Sequence, residues 1–217
     1  MRRFALFAGI LALSAPLLYT PAAEAKKGDS KADASEIPAI EMTGIQQFDG
    51  VFGRAKTIQE KLNNEHAHMV DAHTNLNKAL GLAEDSPIAT AMSDLKGKAG
   101  GKIKMTMNGK TPVMAASEAV PANVQAGIDA TNGLVDAGTS SVTTALGLKG
   151  DVQALVQECT AFPGQLPGLV KNPMEAAKSL KVVNANLKAI KAFPAYIETF
   201  STDMTTLFND IKSVFPF

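Results

Sequence analysis

The residues best suited to chemistry are grouped in one short segment. All three histidines of the chain, His66, His68 and His73, fall within eight residues, together with Glu65 and Asp71. Imidazole and carboxylate groups are the protein ligands of zinc, and imidazole also suits copper. On a helix, Glu65, His68 and Asp71 follow one another at three-residue steps, so consecutive members of the series are neighbours on the helix surface. They could therefore supply two ligands to a surface metal ion, with a third ligand from elsewhere in the chain.

The spacing of the other histidines fits a structural role. His66 and His68 point about 200° apart around a helix, and His66 and His73 lie about 10.5 Å apart along its axis. Neither spacing is the three- or four-residue step that chelation uses. His66 and His73 instead fall on the apolar face, where buried polar groups can set the register between helices. A pH-sensitive histidine pair is the remaining alternative.

Methionines form a second candidate group. Met105 and Met107, with Met69 and Met114, could join His66 in a copper site, because thioethers and imidazoles suit Cu(I). Alternating methionines on a hairpin that faces helices are more often packing residues. We therefore expect no cofactor, with Cu or Zn bound to this segment and the methionines as the alternative.

The sequence carries no signature of an enzyme. It lacks a Ser/His/Asp nucleophile motif, a His-Glu-x-x-His helix and a dinucleotide-binding glycine pattern. The only cysteine, Cys159, excludes a disulfide framework. Its apolar neighbours predict a buried and unreactive thiol, with pairing between chains as the alternative.

Composition narrows the class of protein further. Apolar residues make up 46% of the 217 residues, which is too many for a disordered chain. Lys and Arg total 21, and so do Asp and Glu, so the balance argues against a nucleic-acid partner.

The N-terminal sequence predicts export. Residues 1–25 combine two arginines, an apolar run and an Ala-Glu-Ala site, which is the layout of a cleaved signal peptide. No later apolar run has the length of a membrane span. We expect a periplasmic or secreted protein with no membrane span after cleavage, and an uncleaved N-terminal anchor is the alternative. Residues 26–40 predict a flexible polar tether.

The remaining residues, 41–217, predict a single mainly α domain. Heptad-like apolar stripes over 43–80 and 172–214 need partner helices, as in coiled coils. Pro194 interrupts the second stripe and should kink or split that helix. The letters Ala-Leu-Gly-Leu at 79–82 recur at 145–148, so the chain contains either a duplicated long-helix, short-helix unit or a chance repeat.

A small β-hairpin insertion is predicted at about 100–116. Apolar and polar residues alternate there, and Asn108-Gly109 is a strong turn signal. The expected fold is thus an elongated three- or four-helix bundle with this hairpin. We expect a non-enzymatic binding module for a protein, peptide or lipid-like partner, with self-association possible through the stripes. A periplasmic Cu- or Zn-binding protein using residues 66–73 is the alternative function.

Overall fold

The described part of the chain is mainly helical and contains one hairpin. The computed structural model describes residues 37–108 and 111–215, of which 76% are helical. The helices are α1 (Gln46–Leu80), α2 (Ile88–Ala99), α3 (Ala122–Gly147), α4 (Lys149–Cys159), α5 (Phe162–Leu169) and α6 (Pro173–Val214). The antiparallel strands are β1 (Ile103–Asn108) and β2 (Thr111–Ala116). The predicted mainly α class and the predicted hairpin are both confirmed. The predicted signal peptide, residues 1–25, lies outside the described residues.

Three long helices, α1, α3 and α6, contact one another. Helix α3 runs antiparallel to α1, since Ser141 bonds Glu65 near the middle of α1 and Gly127 lies beside Leu80 at its end. Small residues on α3 let its neighbours approach closely. None of the helices within residues 37–108 and 111–215 combines the length and apolar character needed to cross a membrane.

The apolar core has two clusters. The first core cluster joins the start of α1, the short helices α4 and α5, and the first two thirds of α6. Its aromatic centre is Phe48 stacked on Phe162 at 4.3 Å, with Phe52 edge-on to Phe162. The second core cluster joins the end of α1, α2, β2, the start of α3 and the end of α6.

The last four residues of the predicted tether are part of the fold. Ile37 and Ile40 are buried in the first core cluster. The Gln59 side chain on α1 donates to the carbonyls of Ile37 (2.9 Å) and Pro38 (3.0 Å) and accepts from the Ile40 amide (3.2 Å). Residues 37–40 are therefore bound to α1, unlike the flexible segment expected from composition. Residues 26–36 lie outside the described residues.

The two copies of Ala-Leu-Gly-Leu end their helices differently. Gly81 takes the left-handed conformation (φ +72°), and the Leu82 amide donates back to the Asn77 carbonyl. This is the helix ending that the sequence predicts. Gly147 has no such conformation, because α4 begins immediately afterwards and Leu148 becomes buried instead of Leu146. The motif repeat therefore has no shared local structure.

Helix α6 continues through Pro194 and is not split. At its start, the Asn172 side chain accepts from the Met174 amide (3.0 Å), and Pro173 follows as the first helical residue. Phe193 and Ile197 on either side of the proline are buried in the first core cluster. Their packing holds the helix together where Pro194 removes one backbone hydrogen bond.

Candidate functional site

His73 closes the loop between α1 and α2. Its Nε2 lies 2.8 Å from the Ser86 carbonyl oxygen, which can only accept, so Nε2 carries the proton. One turn later, the fully buried Asn77 amide donates to the carbonyls of Glu84 and Ser86, each at 2.9 Å. These bonds hold the loop against the helix, which is a structural role for His73 different from the register role between helices that the sequence predicted.

Glu65 and His66 face the neighbouring long helices. The buried Ser141 hydroxyl on α3 donates to the Glu65 carboxylate at 2.9 Å and so connects α1 to α3. His66 lies near Asp203 on α6. Partial burial raises the pKa of the Asp203 carboxyl, and the nearby His66 acts in the opposite direction.

The predicted metal ligands do not form a three-ligand site in the described residues. His68 and Asp71 lie on the exposed side of α1, whereas Glu65 is turned toward Ser141. In residues 37–108 and 111–215, no group of three or more His, Cys, Asp or Glu side chains is placed to hold a metal ion. A zinc or copper site here stays a prediction without geometric support.

The four candidate methionines are divided between different surroundings. Met69 packs against the first core cluster, whereas Met105 packs against the second, where Met114 is buried. Met105 and Met114 are direct cross-strand partners. Met107 is 52% exposed at the far end of β1. This arrangement fits packing for Met69, Met105 and Met114 and leaves Met107 exposed.

Cys159 is fully buried, as its apolar neighbours predicted. Burial raises the pKa of its thiol from 9.0 to about 11, with a smaller contribution from Glu158 that Arg54 opposes. The thiol is therefore protonated at neutral pH and is a poor nucleophile.

The hairpin is fixed to α3 by one amide side chain. Asn132 accepts from the Met114 amide through Oδ1 (2.8 Å) and donates to the Met114 carbonyl through Nδ2 (2.9 Å). It thus occupies the outer edge of β2 as a neighbouring strand would. These two bonds hold β2 in a fixed position against α3.

The outer edge of β1 remains open. Met114 directs its backbone groups away from β1, so the pair formed by Met105 and Met114 is a non-hydrogen-bonded pair of the ladder. Met105 therefore points its own N–H and C=O to the outer edge of β1, and alternation places those of Ile103 and Met107 there too. Within the described residues, no hydrogen bond reaches these groups.

The segment that contains β1 is rich in lysine. Five lysines and no acidic residue stand between Asp94 and Glu118. In the described part of the chain, Lys98 and Lys102 pair with those two flanking acids, and Lys104 has no ion pair or hydrogen bond. The Lys96 ammonium donates to the Val214 carbonyl at 2.9 Å.

A groove of about 350 Å³ runs along β1. Its apolar lining comes from Ile103, Met105, Val214 and Phe215, and its polar lining includes Lys96, Lys104 and Thr106. We call β1 with this groove and its two lining lysines, Lys96 and Lys104, the lysine-rich edge. It combines unpaired backbone groups, an apolar floor and positive charge.

Sequence analysis did not identify the lysine-rich edge as a site. The predicted hairpin and the run of lysines without acids between Asp94 and Glu118 were the available signals, but the balanced total charge concealed them. The contribution of Val214 and Phe215 depends on tertiary packing and has no local signal. No protein-family model matches this sequence, and no match is found among curated proteins or among solved structures.

Proposed function

We propose that this chain is an exported, non-enzymatic interaction module that folds as an elongated helical bundle and binds an acidic partner at the lysine-rich edge. Side-by-side contacts of α1, α3 and α6 support the bundle architecture. The signal-like residues 1–25 support export. The observation that carries the binding role is the exposed, unpaired Lys104 beside an apolar groove.

The non-enzymatic part of the proposal rests on the bonds of the polar side chains. His73 binds a loop carbonyl and Glu65 binds Ser141, so both are engaged in holding elements together. Cys159 has a raised thiol pKa and is buried. These three groups are thereby occupied or shielded, whereas Lys102 and Lys104 at the hairpin are exposed.

Binding of fluorescent poly-L-glutamate to the purified protein tests this function. Exposed cations attract an acidic chain, and salt screens that attraction. We expect binding at low ionic strength that weakens as salt is added. Lys104→Glu should reduce the affinity by about five- to tenfold, since it removes one cation and adds one anion at the site.

Lys181→Glu is the matched control, because Lys181 is exposed on α6 outside the lysine-rich edge. The same charge change there should alter the affinity by less than about twofold. Equal losses in the two variants would show that only the total charge of the protein matters. That result, or no binding at low ionic strength, would refute the proposed function.

A further inference from the structure

The backbone of β1 offers a ready place for another strand. Ile103, Met105 and Met107 present their N–H and C=O groups along one line at the outer edge, as derived above from the bonds of Asn132 to Met114. Unpaired edge groups of this kind are the template for strand addition. On the opposite side of the hairpin, the Asn132 amide already satisfies the outward N–H and C=O of Met114 in β2.

The side chains around this edge define the chemistry of an added strand. Both faces of β1 border the groove: Lys104 lies on the exposed face, whereas Ile103 and Met105 lie on the partly buried face that packs against the second core cluster. Successive side chains of a strand point to opposite faces. A matching strand therefore alternates acidic residues, opposite the lysine face, with apolar residues that enter the groove.

We infer that the lysine-rich edge binds an extended peptide segment of alternating acidic and apolar residues, which adds to β1 as an antiparallel third strand. This inference rests on the proposed function and specifies its partner and binding mode. A second copy of this chain fits less well, because pairing two copies of β1 would bring lysine-rich edges together. Lysines on an edge strand oppose such self-pairing.

The test uses two short peptides of alternating glutamate and valine that differ only in the placement of N-methyl groups. In an antiparallel pair, ligand valines that share the groove face with Met105 direct their N–H groups to β1, and the glutamates direct theirs away. Methylated valines should weaken binding to the purified protein by about tenfold or more relative to methylated glutamates. Affinities are measured by NMR titration, which also reports protection of the Ile103, Met105 and Met107 amides.

A variant of the protein tests the same backbone hydrogen bonds by altering β1 and not the peptide. Met105→Pro removes one outward N–H without removing a bond of the β1–β2 ladder, and β2 already contains Pro112 at an outward-facing position. Proline is tolerated in edge strands at such positions. We expect about tenfold weaker binding of the peptide with methylated glutamates, with an unchanged helical circular dichroism spectrum.

The outcomes distinguish failure of strand addition from failure of the proposed acidic-partner function. Binding that is equally strong for both methylated peptides would overturn strand addition and leave the proposed acidic-partner function in place. Failure of poly-L-glutamate and both peptides to bind would overturn both. If the NMR spectrum of Met105→Pro shows that the hairpin is disturbed, the comparison of the two methylated peptides on the unmodified protein decides whether a strand is added. A concentration-dependent dimer that protects the β1 amides without peptide would assign the edge to self-association and overturn the inference.

Discussion

At the scale of single residues, Gly127 and Gly133 on α3 have opposite surroundings. A Cβ added to Gly127 would lie 2.7 Å from Leu80 and 2.9 Å from Leu95, whereas one added to Gly133 would meet nothing within 4 Å. Both leucines are buried and would have to move together. We expect Gly127→Ala to lower the free energy of unfolding by about 1–3 kcal/mol, measured by urea denaturation.

Gly133→Ala serves as the control for helix propensity. Alanine replaces a glycine inside a helix there without a clash, so the same measurement should show a gain of about 0.5–1 kcal/mol. The comparison isolates the close approach of α3 to α1 and α2. Two variants of similar stability would contradict the tight packing at Gly127.

The single thiol gives a second prediction at the residue scale. Cys159 is the only cysteine, so any thiol reagent reports on this position alone. Its pKa of about 11 leaves about a hundredfold less thiolate at pH 8 than a pKa of 9.0 would. Modification of the folded protein should be at least that much slower than modification of the urea-unfolded chain.

The pH dependence has a definite sign for Cys159. Because folding raises the thiol pKa, this group contributes stability below about pH 9 that is lost as pH rises toward 11. The modification rate of the folded protein should therefore keep rising up to about pH 11. A plateau near pH 9 would indicate an exposed thiol. Cys159→Ala should reduce the loss of stability at high pH, because it removes the thiol that ionises there.

At the scale of elements, the hairpin depends on α3. An isolated two-stranded hairpin is marginally stable in water, and Asn132 supplies both a donor and an acceptor to β2. Asn132→Asp keeps the acceptor and removes the donor to the Met114 carbonyl. We expect faster amide hydrogen exchange throughout β1 and β2, corresponding to a loss of about 1–3 kcal/mol in local stability.

Thr139→Val is the control on the same helix. The Thr139 hydroxyl donates to the Val135 carbonyl within α3 and makes no bond to the hairpin. Exchange in β1 and β2 should stay unchanged in this variant. Equal acceleration in both variants would mean that the hairpin responds to α3 stability in general and not to the Asn132 bonds.

Helices and the hairpin could be predicted because their signals are local. The apolar stripe of α1, the asparagine cap with Pro173 and the alternation after Gly100 each follow from neighbouring residues. Of the two predicted effects of Pro194, a kink or a split, the split does not occur, because buried neighbours stabilise the helix across the proline. Residues 37–40 were assigned to the tether, because two isolated isoleucines carry no periodicity.

The candidate site was less accessible to sequence analysis than the fold. Histidine clustering drew attention to residues 65–73, but clustering along a helix does not specify which neighbouring helix each side chain meets. Ser141 and Ser86, which bind Glu65 and His73, lie elsewhere in the sequence. The lysine-rich edge likewise needs Val214 and Phe215 from the end of α6. The bonds of the histidine segment and the composition of the lysine-rich edge thus both depend on contacts between segments that are distant in the sequence.

At the scale of the whole described unit, the two core clusters are connected more closely through α3 and α6 than through α1. On α1, the buried apolar residues Leu62 and Leu76 lie about 21 Å apart along the helix, and only partly buried apolar residues pack against the clusters between them. On α6, Phe200 and Met204 belong to different clusters and are one turn apart. Val142 on α3 packs against both clusters.

These connections predict that the two clusters unfold together. Leu155 in the first core cluster and Leu95 in the second are each almost fully buried. Leu155→Ala and Leu95→Ala should each lower the free energy of unfolding by about 2–5 kcal/mol. Because α3 and α6 run through both clusters, the slowest-exchanging amides of each cluster should lose the same protection in either variant.

Hydrogen exchange measured by NMR distinguishes this from separate unfolding. If Leu95→Ala accelerated exchange only in α2, the hairpin and the ends of α1 and α6, while amides around Phe52 kept their protection, the polar middle of α1 would be a boundary between two folding units. The single turn between Phe200 and Met204 and the double contact of Val142 would then be too weak to couple them. Equal losses would instead assign the coupling mainly to α3 and α6, since α1 has only partly buried apolar residues across that interval.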